Sequence, residues 1–317
     1  MKPTSPEADP HCDDPKVTRR ARIALAVAAE PTTAHLADHI DTYGASAVLA
    51  QVFHPALRSP AWDTITSIDA IAARLREVDV DAVIEHTNTM AARIVTPDDD
   101  EWPRRINDIH PRRPLALWVR GQADLAAASA RSIAIVGSRA PSQYGTHIAY
   151  EWAAHFARAG TTVITGGDYG IDESVHRGAF RGKGRAIVVT PTGLDDTFPS
   201  GHRSLFASIA EQGAIVTDAA PGQTPAKARF DARRNLLAAL AAVSCVVEAP
   251  EDSPATKTAV DAHRMNRPVF AVPGPITAAT SRGPHELIRS RVATAAFDPD
   301  DIDAALDRSS PHALAVQ

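Results

Sequence analysis

At 317 residues, with 44% hydrophobic side chains, the chain is long enough for one full α/β domain and a smaller companion around a sizeable core. A net charge of −5 argues against a general polycation. Two cysteines exclude a disulfide framework, and thirteen scattered histidines without ligand spacing exclude a structural zinc site.

The opening stretch MKPTSPEADPHCDDPK is polar, acidic and Pro-rich, and residues 1–16 read as a disordered leader. It lacks the basic-then-apolar order of a secretory signal, and no run of about 18 apolar residues occurs anywhere, so a cytoplasmic protein without membrane contact is expected. Cys12 falls in this leader and Cys245 in an apolar run that reads as a buried strand. Residues 17–93 carry Ala-rich amphipathic segments, with helices expected at 22–29, 34–43, 45–52 and 68–78. Thr33 and Ser67 are candidate N-caps for two of them.

Near residue 94 the pattern changes to short extended runs with Pro and Gly stops, through Glu101-Trp102-Pro103 and Leu115 to Gly121. From Ser132 short apolar runs alternate with helical ones. Strands are expected at 133–136, 162–165, 186–190, 214–217, 245–248, 269–272 and 293–296. Helices are expected at 146–159, 172–181, 203–212, 233–242 and 255–265. In the first of these, Ile148, Trp152 and Phe156 draw one buried stripe. Uniformly apolar strands alternating with helices specify an α/β, Rossmann-like, mostly parallel sheet with helices on both faces, preceded by a small all-helical domain. Its expected span is 94–306, with 307–317 as a tail.

Ligands in such sheets bind beyond the carboxyl ends of the strands. Charge points to the same place: residues 131–235 carry 12 basic against 9 acidic side chains, whereas residues 1–95 carry 9 against 13. After the first strand of the sheet domain come Gly137, Ser138 and Arg139, then Gly145 at a helix start. Glycine lets the backbone approach an anion, free N–H groups donate to it, and a guanidinium matches a phosphate oxygen pair. A tight turn with a surface arginine would look the same. The spacing fits neither GxGxxG nor GxxxxGK[ST], which disfavours ordinary dinucleotide or nucleoside-triphosphate binding. After the second strand Gly166, Gly167 and Gly170 are followed by Asp172, His176 and Arg177. Asp172 reads first as a helix cap, and Arg177 either reaches a phosphate or faces solvent. Lys227, Arg229, Arg233 and Arg234 form a later basic cluster, with the last two expected at a helix start, where the macrodipole disfavours cations and a phosphate partner would explain them. A solvated charge run is the competing account.

These motifs together resemble the DNA-processing protein A (DprA/Smf) family. The resemblance is carried by IAIVGSRAPSQYG (133–145), GGDYGIDESVHRGAF (166–180), GLDDTFPSGHRSLF (193–206), VFAVPGP (269–275) and SRGPHELI (281–288). It implies single-stranded DNA in a basic pocket, a homodimer formed through the Rossmann-like domain, and delivery of a RecA-type recombinase in recombination and natural transformation. It implies no catalysis and no cofactor. By matching positions Gly137, Ser138 and Arg139 would line the pocket, His176 and Arg177 would lie nearby, and His202 with Arg203 would add a contact. Three departures weaken a polyanion site: Asp168 where a small or basic residue is usual, Arg233-Arg234-Asn235 in place of Arg-Asn-Arg, and Asp252-Ser253-Pro254 in place of Arg-Ser-Gly. Ile302 is followed by 15 residues, so the winged helix that some members carry is not expected.

Two other readings stay open. A nucleotide-sensing scaffold without turnover accounts equally for glycine loops and acidic departures. A nucleoside-monophosphate phosphoribohydrolase would need a PGGxGTxxE pattern, and the nearest stretch, Pro273-Gly274-Pro275-Ile276-Thr277, lacks its glycine pair and glutamate.

Overall fold

A computed structural model describes residues 14–58, 60–65 and 67–308. Helix α1 (Pro15–Ala28) begins inside the stretch read as a leader, with Asp14 accepting from the Lys16 N–H as its cap. Residues 1–13, with Cys12, lie outside the described residues, as do 309–317. α2 (Leu36–Tyr43), α3 (Ala45–Phe53), α4 (Ile68–Leu75) and α5 (Val80–Thr89) complete the helical region around Leu25, Ile40, Val48, Trp62 and Ile71. Neither expected cap acts as one. Thr33 instead accepts from the Glu30 N–H, and Ser67 precedes α4 in a left-handed conformation with no side-chain bond to the helix. Helix α5, capped by Asp79, was absent from the sequence reading because its run VDAVIEHTNT is rich in β-branched residues of low helix propensity.

The sheet follows. β1 (Ala92–Val95) and β2 (Leu117–Arg120) are antiparallel to each other, and β2 to β6 below. α6 (Leu125–Ala130) leads into β3 (Ser132–Val136), α7 (Gln143–Arg158), β4 (Thr162–Thr165), α8 (Ile171–Arg181), β5 (Ala186–Val189), α9 (Arg203–Gln212) and β6 (Ala214–Thr217). Then come α10 (Lys227–Leu240), β7 (Val243–Val246), α11 (Pro254–Arg264), β8 (Val269–Ala271), α12 (Arg282–Arg289), β9 (Thr294–Ala295) and α13 (Asp300–Arg308). The order across the nine-stranded sheet is β1-β2-β6-β5-β4-β3-β7-β8-β9, and β3 to β9 run parallel.

The parallel strands are apolar throughout because both faces are covered, and two buried clusters flank the sheet. Trp152 and Phe156 of the α7 stripe are buried as expected, whereas Ile148 is only half-buried. α10 begins six residues earlier than read, which places Arg233 and Arg234 in mid-helix; the helix-start argument for them therefore falls. α13 runs two residues into the stretch read as a tail.

Candidate functional site

From β3 the chain moves outward through β4, β5 and β6, then returns to place β7 on the other side of β3. The loops after β3 and β7 therefore leave in opposite directions and open a cleft, here of about 590 Å³. Its walls are residues 137–140, Gly166 and Asp168 beyond β4, Asp172 of α8, Phe230, Arg233, Arg234 and Leu237 of α10, and Pro250, Ser253 and Lys257 before and within α11.

The glycines lock these loops to each other more than they open them to a ligand. A Cβ on Gly137 would lie 2.7 Å from the Glu248 carbonyl oxygen, and one on Gly170, which has a φ of 82°, would lie 2.5 Å from that of Ser138. Gly167 packs under Phe206 and Val188, and Gly145 against the Glu248 carboxylate. Three of the backbone donors expected to meet a phosphate are engaged internally. The Ser138 N–H donates to the Glu248 carbonyl (2.5 Å), that of Gly167 to Thr165 Oγ1 (2.9 Å) and that of Gly145 to Ser142 Oγ (3.2 Å). The start of α7, where a Rossmann fold would hold phosphate, is filled by Glu248: its carboxylate accepts from the Ser142 N–H (2.8 Å) and hydroxyl (2.7 Å).

Cations therefore define the open part of the cleft. Arg139 is 56% exposed and donates to Asp168 Oδ2 at 3.0 Å. Arg233, 8% exposed, donates to the same oxygen at 2.8 Å and to the Gly166 carbonyl at 3.0 Å, with its guanidinium 5.1 Å from the Phe230 ring centre. Arg234 bridges Asp261 (2.6 Å) and Asp231 (2.5 Å), and Lys257 pairs with the exposed Asp252 at 2.8 Å. Burial alone would raise the Asp168 carboxyl, but Arg233 and then Arg139 outweigh it and hold the group below the usual carboxylate range. Asp172 differs. Burial, followed by the charge of Asp168, pushes it up to about 7 against the pull of Arg233. It is no cap: α8 is preceded by Gly170, and the Asp172 carboxylate accepts from the Asp168 N–H at 3.2 Å, fastening the loop to the helix.

Of the phosphate-contact candidates read from sequence, Gly137, Ser138, Arg139, Gly166, Arg233 and Arg234 line the cleft. The others lie elsewhere. His176 is fully buried, its Nε2 2.9 Å from Thr165 Oγ1, and burial followed by neighbouring His202 pushes it down to about 3, so it is a neutral core residue. His202 is buried with Nδ1 2.9 Å from the Gly167 carbonyl. Arg177 points outward and pairs with Glu173 at 2.6 Å. Arg203 belongs to a separate groove with Arg120 and Leu194. Lys227 and Asn235 line a crevice beside Pro31 and Thr32, and Arg229 is buried against Gln223 with Glu30 at 3.7 Å. Lys257 went unnoticed in the sequence. The reversal of strand order at β3 is what brings the first turn of α11 to the cleft, and a single basic residue in a helix gives no such signal. Far from the cleft His155, Asp300 and Asp303 place ligand atoms within 4.8 Å of one another, with Asp303 also 3.8 Å from Arg131.

A mostly parallel sheet with a cation-lined cleft at its switch point defines a Rossmann-like fold with a candidate anion site. The family model for DNA recombination-mediator protein A matches residues 93–307, and the chain belongs to that family. Putative DNA processing protein DprA from Mycobacterium tuberculosis is 41% identical over 207 residues, 62% of this chain and 53% of that protein. Protein Smf from Escherichia coli is 36% identical over 190 residues, 60% and 50% respectively. The chain thus spans about half the length of these curated relatives. Among solved structures, DNA processing protein A from Streptococcus pneumoniae superposes with a TM-score of 0.69 at 23% identity, covering 91% of this chain and 95% of that one. The protein of the same name from Helicobacter pylori, described for its single-stranded DNA binding mode, gives 0.61 at 24% identity, covering 69% and 97%. The fold is shared with both.

Proposed function

We propose that this protein binds single-stranded DNA in the switch-point cleft through phosphate contacts, without turnover, and presents the strand to a RecA-type recombinase, acting as a homodimer in the cytoplasm. The observation that carries the reading is the convergence of four cations from three separate segments, Arg139, Arg233, Arg234 and Lys257, on one open cleft. Family membership and the stated DNA binding of the Helicobacter pylori relative support it. No helix among the described residues is long and apolar enough to cross a membrane. Phosphate contacts position a strand without reading its bases, so little sequence preference is expected. Half-buried Phe230 is the aromatic on the cleft wall against which a base would stack.

Fluorescence anisotropy of a labelled oligo-dT across a salt series tests the reading, with Arg139→Ala beside the wild type. Salt-dependent binding that weakens in the variant supports it; absence of binding at low salt by the folded protein overturns it. One observation favours a second reading, a nucleotide sensor: each cleft cation already has an internal carboxylate partner, and the volume suits one small ligand. Thermal stabilisation by a nucleotide without oligonucleotide binding would select it.

A further inference from the structure

Two guanidinium groups from different parts of the chain meet on one carboxylate oxygen. Arg139 reaches Asp168 Oδ2 from the loop after β3 and Arg233 reaches it from α10, at 3.0 and 2.8 Å. Two arginines gripping one anionic oxygen is the arrangement by which proteins hold phosphate. Arg233 does not depend on Asp168 for its place. The Gly166 carbonyl and the Phe230 ring fix its guanidinium in the cleft wall, and with 8% exposure it cannot turn to solvent. Asp168 is Arg139's only ion-pair partner among the described residues. The loop carrying Asp168 is tied through its backbone N–H to Asp172, so the carboxylate is presented to the arginines by the fold.

Resting on the single-stranded DNA reading above, we propose that Asp168 is an internal anion occupying the phosphate position between Arg139 and Arg233, and that it sets the affinity of the cleft. A strand then binds by competing with a tethered carboxylate for the same two guanidinium groups. Removing that carboxylate leaves two free cations, one of them buried, that demand an anion from solution. Asp168 thus restrains binding, and its loss strengthens the site. A purely structural ion pair would behave in the opposite way, since breaking it would loosen the loop and weaken any binding.

The test uses the full chain as Asp168→Ala and Asp168→Asn, the latter keeping the side-chain shape where the former fails to fold. Melting temperature is followed against inorganic phosphate, with chloride at matched ionic strength as control, and oligo-dT affinity is measured in parallel. Both variants are expected to melt below the wild type without phosphate and to recover as phosphate is added, while the wild type responds little. Oligo-dT affinity is expected to rise on the order of tenfold, with the salt slope steeper by about 0.7, the value for one further phosphate on a single strand. Variants that neither recover with phosphate nor gain affinity, beside a wild type that binds oligo-dT, overturn the internal anion and leave the DNA reading standing. Phosphate recovery with no oligonucleotide binding by any form supports the internal anion and overturns the DNA reading.

Discussion

Asp172 and Asp168 are neighbouring carboxyls with opposite behaviour, and the difference gives stability a pH dependence. Asp172 is buried and titrates near 7 in the folded chain, against 3.8 as its ordinary value. Between those values the folded state holds a proton that the unfolded state has released, so stability falls as pH rises through the window and levels off above about 7. Asp168, held low, contributes stability that is complete above about pH 4 and lost only in acid, so the two effects do not overlap. Asp172→Asn removes the first effect. Relative to wild type the variant is expected to gain roughly 2 kcal/mol between pH 5 and pH 7.5, read by urea denaturation at each pH; a difference that does not change with pH contradicts the assignment. Gly170 offers a second residue-level test. With φ at 82° and the Ser138 and Arg139 carbonyls where a Cβ would go, Gly170→Ala strains the backbone and separates the two loops. A loss of about 2 kcal/mol or more is expected in the same assay.

Among the elements, α7 and α8 set the geometry of the cleft, because the first turn of α8 carries Asp172. The two helices touch backbone to backbone where Gly178 meets the Tyr150 carbonyl, and a Cβ there would fall 2.1 Å from that oxygen. Gly178→Ala must push α8 off α7; a cost of about 2–3 kcal/mol is expected, with a change in oligo-dT affinity although residue 178 is remote from the cleft. Strands were legible in the sequence because burial on both faces makes them uniformly apolar, and the cores of β3, β4, β5, β6 and β8 fall where the apolar runs do. Elements with no such contrast were missed. LAAASA of α6 has no polar face, and Gly283-Pro284 hides α12 although proline is tolerated in a first helical turn. The basic run Lys227 to Arg229 similarly concealed the start of α10. At the site Arg139, Arg233 and Arg234 were legible, Lys257 was not, and neither were the pairings these cations make. Arg139 and Asp168 are 29 residues apart, Arg233 and Asp168 65, Ser142 and Glu248 106. Local spacing cannot report pairings that only the order of strands creates.

For the molecule as a whole, the helical region is joined to the sheet through a seam that ends at the cleft-bearing helix. Ile23 and Ala24 of α1 share a buried cluster with Ile94 and Trp118 of the first two strands. Arg19 of α1 donates to the Ile94 carbonyl (2.6 Å) and pairs with Asp99 (2.6 Å). Farther along, Glu30 lies 3.7 Å from Arg229, which is buried on α10 beside Asp218, and α10 also carries Arg233. A chain starting at residue 90 would bare the Trp118 side of the sheet, at a cost of about 2 kcal/mol for each large apolar side chain exposed, and would remove one of the two acids facing Arg229. Melting is expected to drop by about 10 °C or more. Oligo-dT affinity is expected to fall with it, although no described residue before 90 lines the cleft wall, because loosening Arg229 loosens the helix that positions Arg233. A shortened chain that melts and binds like the full one would instead mean that the sheet domain holds α10 unaided and that the seam only tethers the helical region to it.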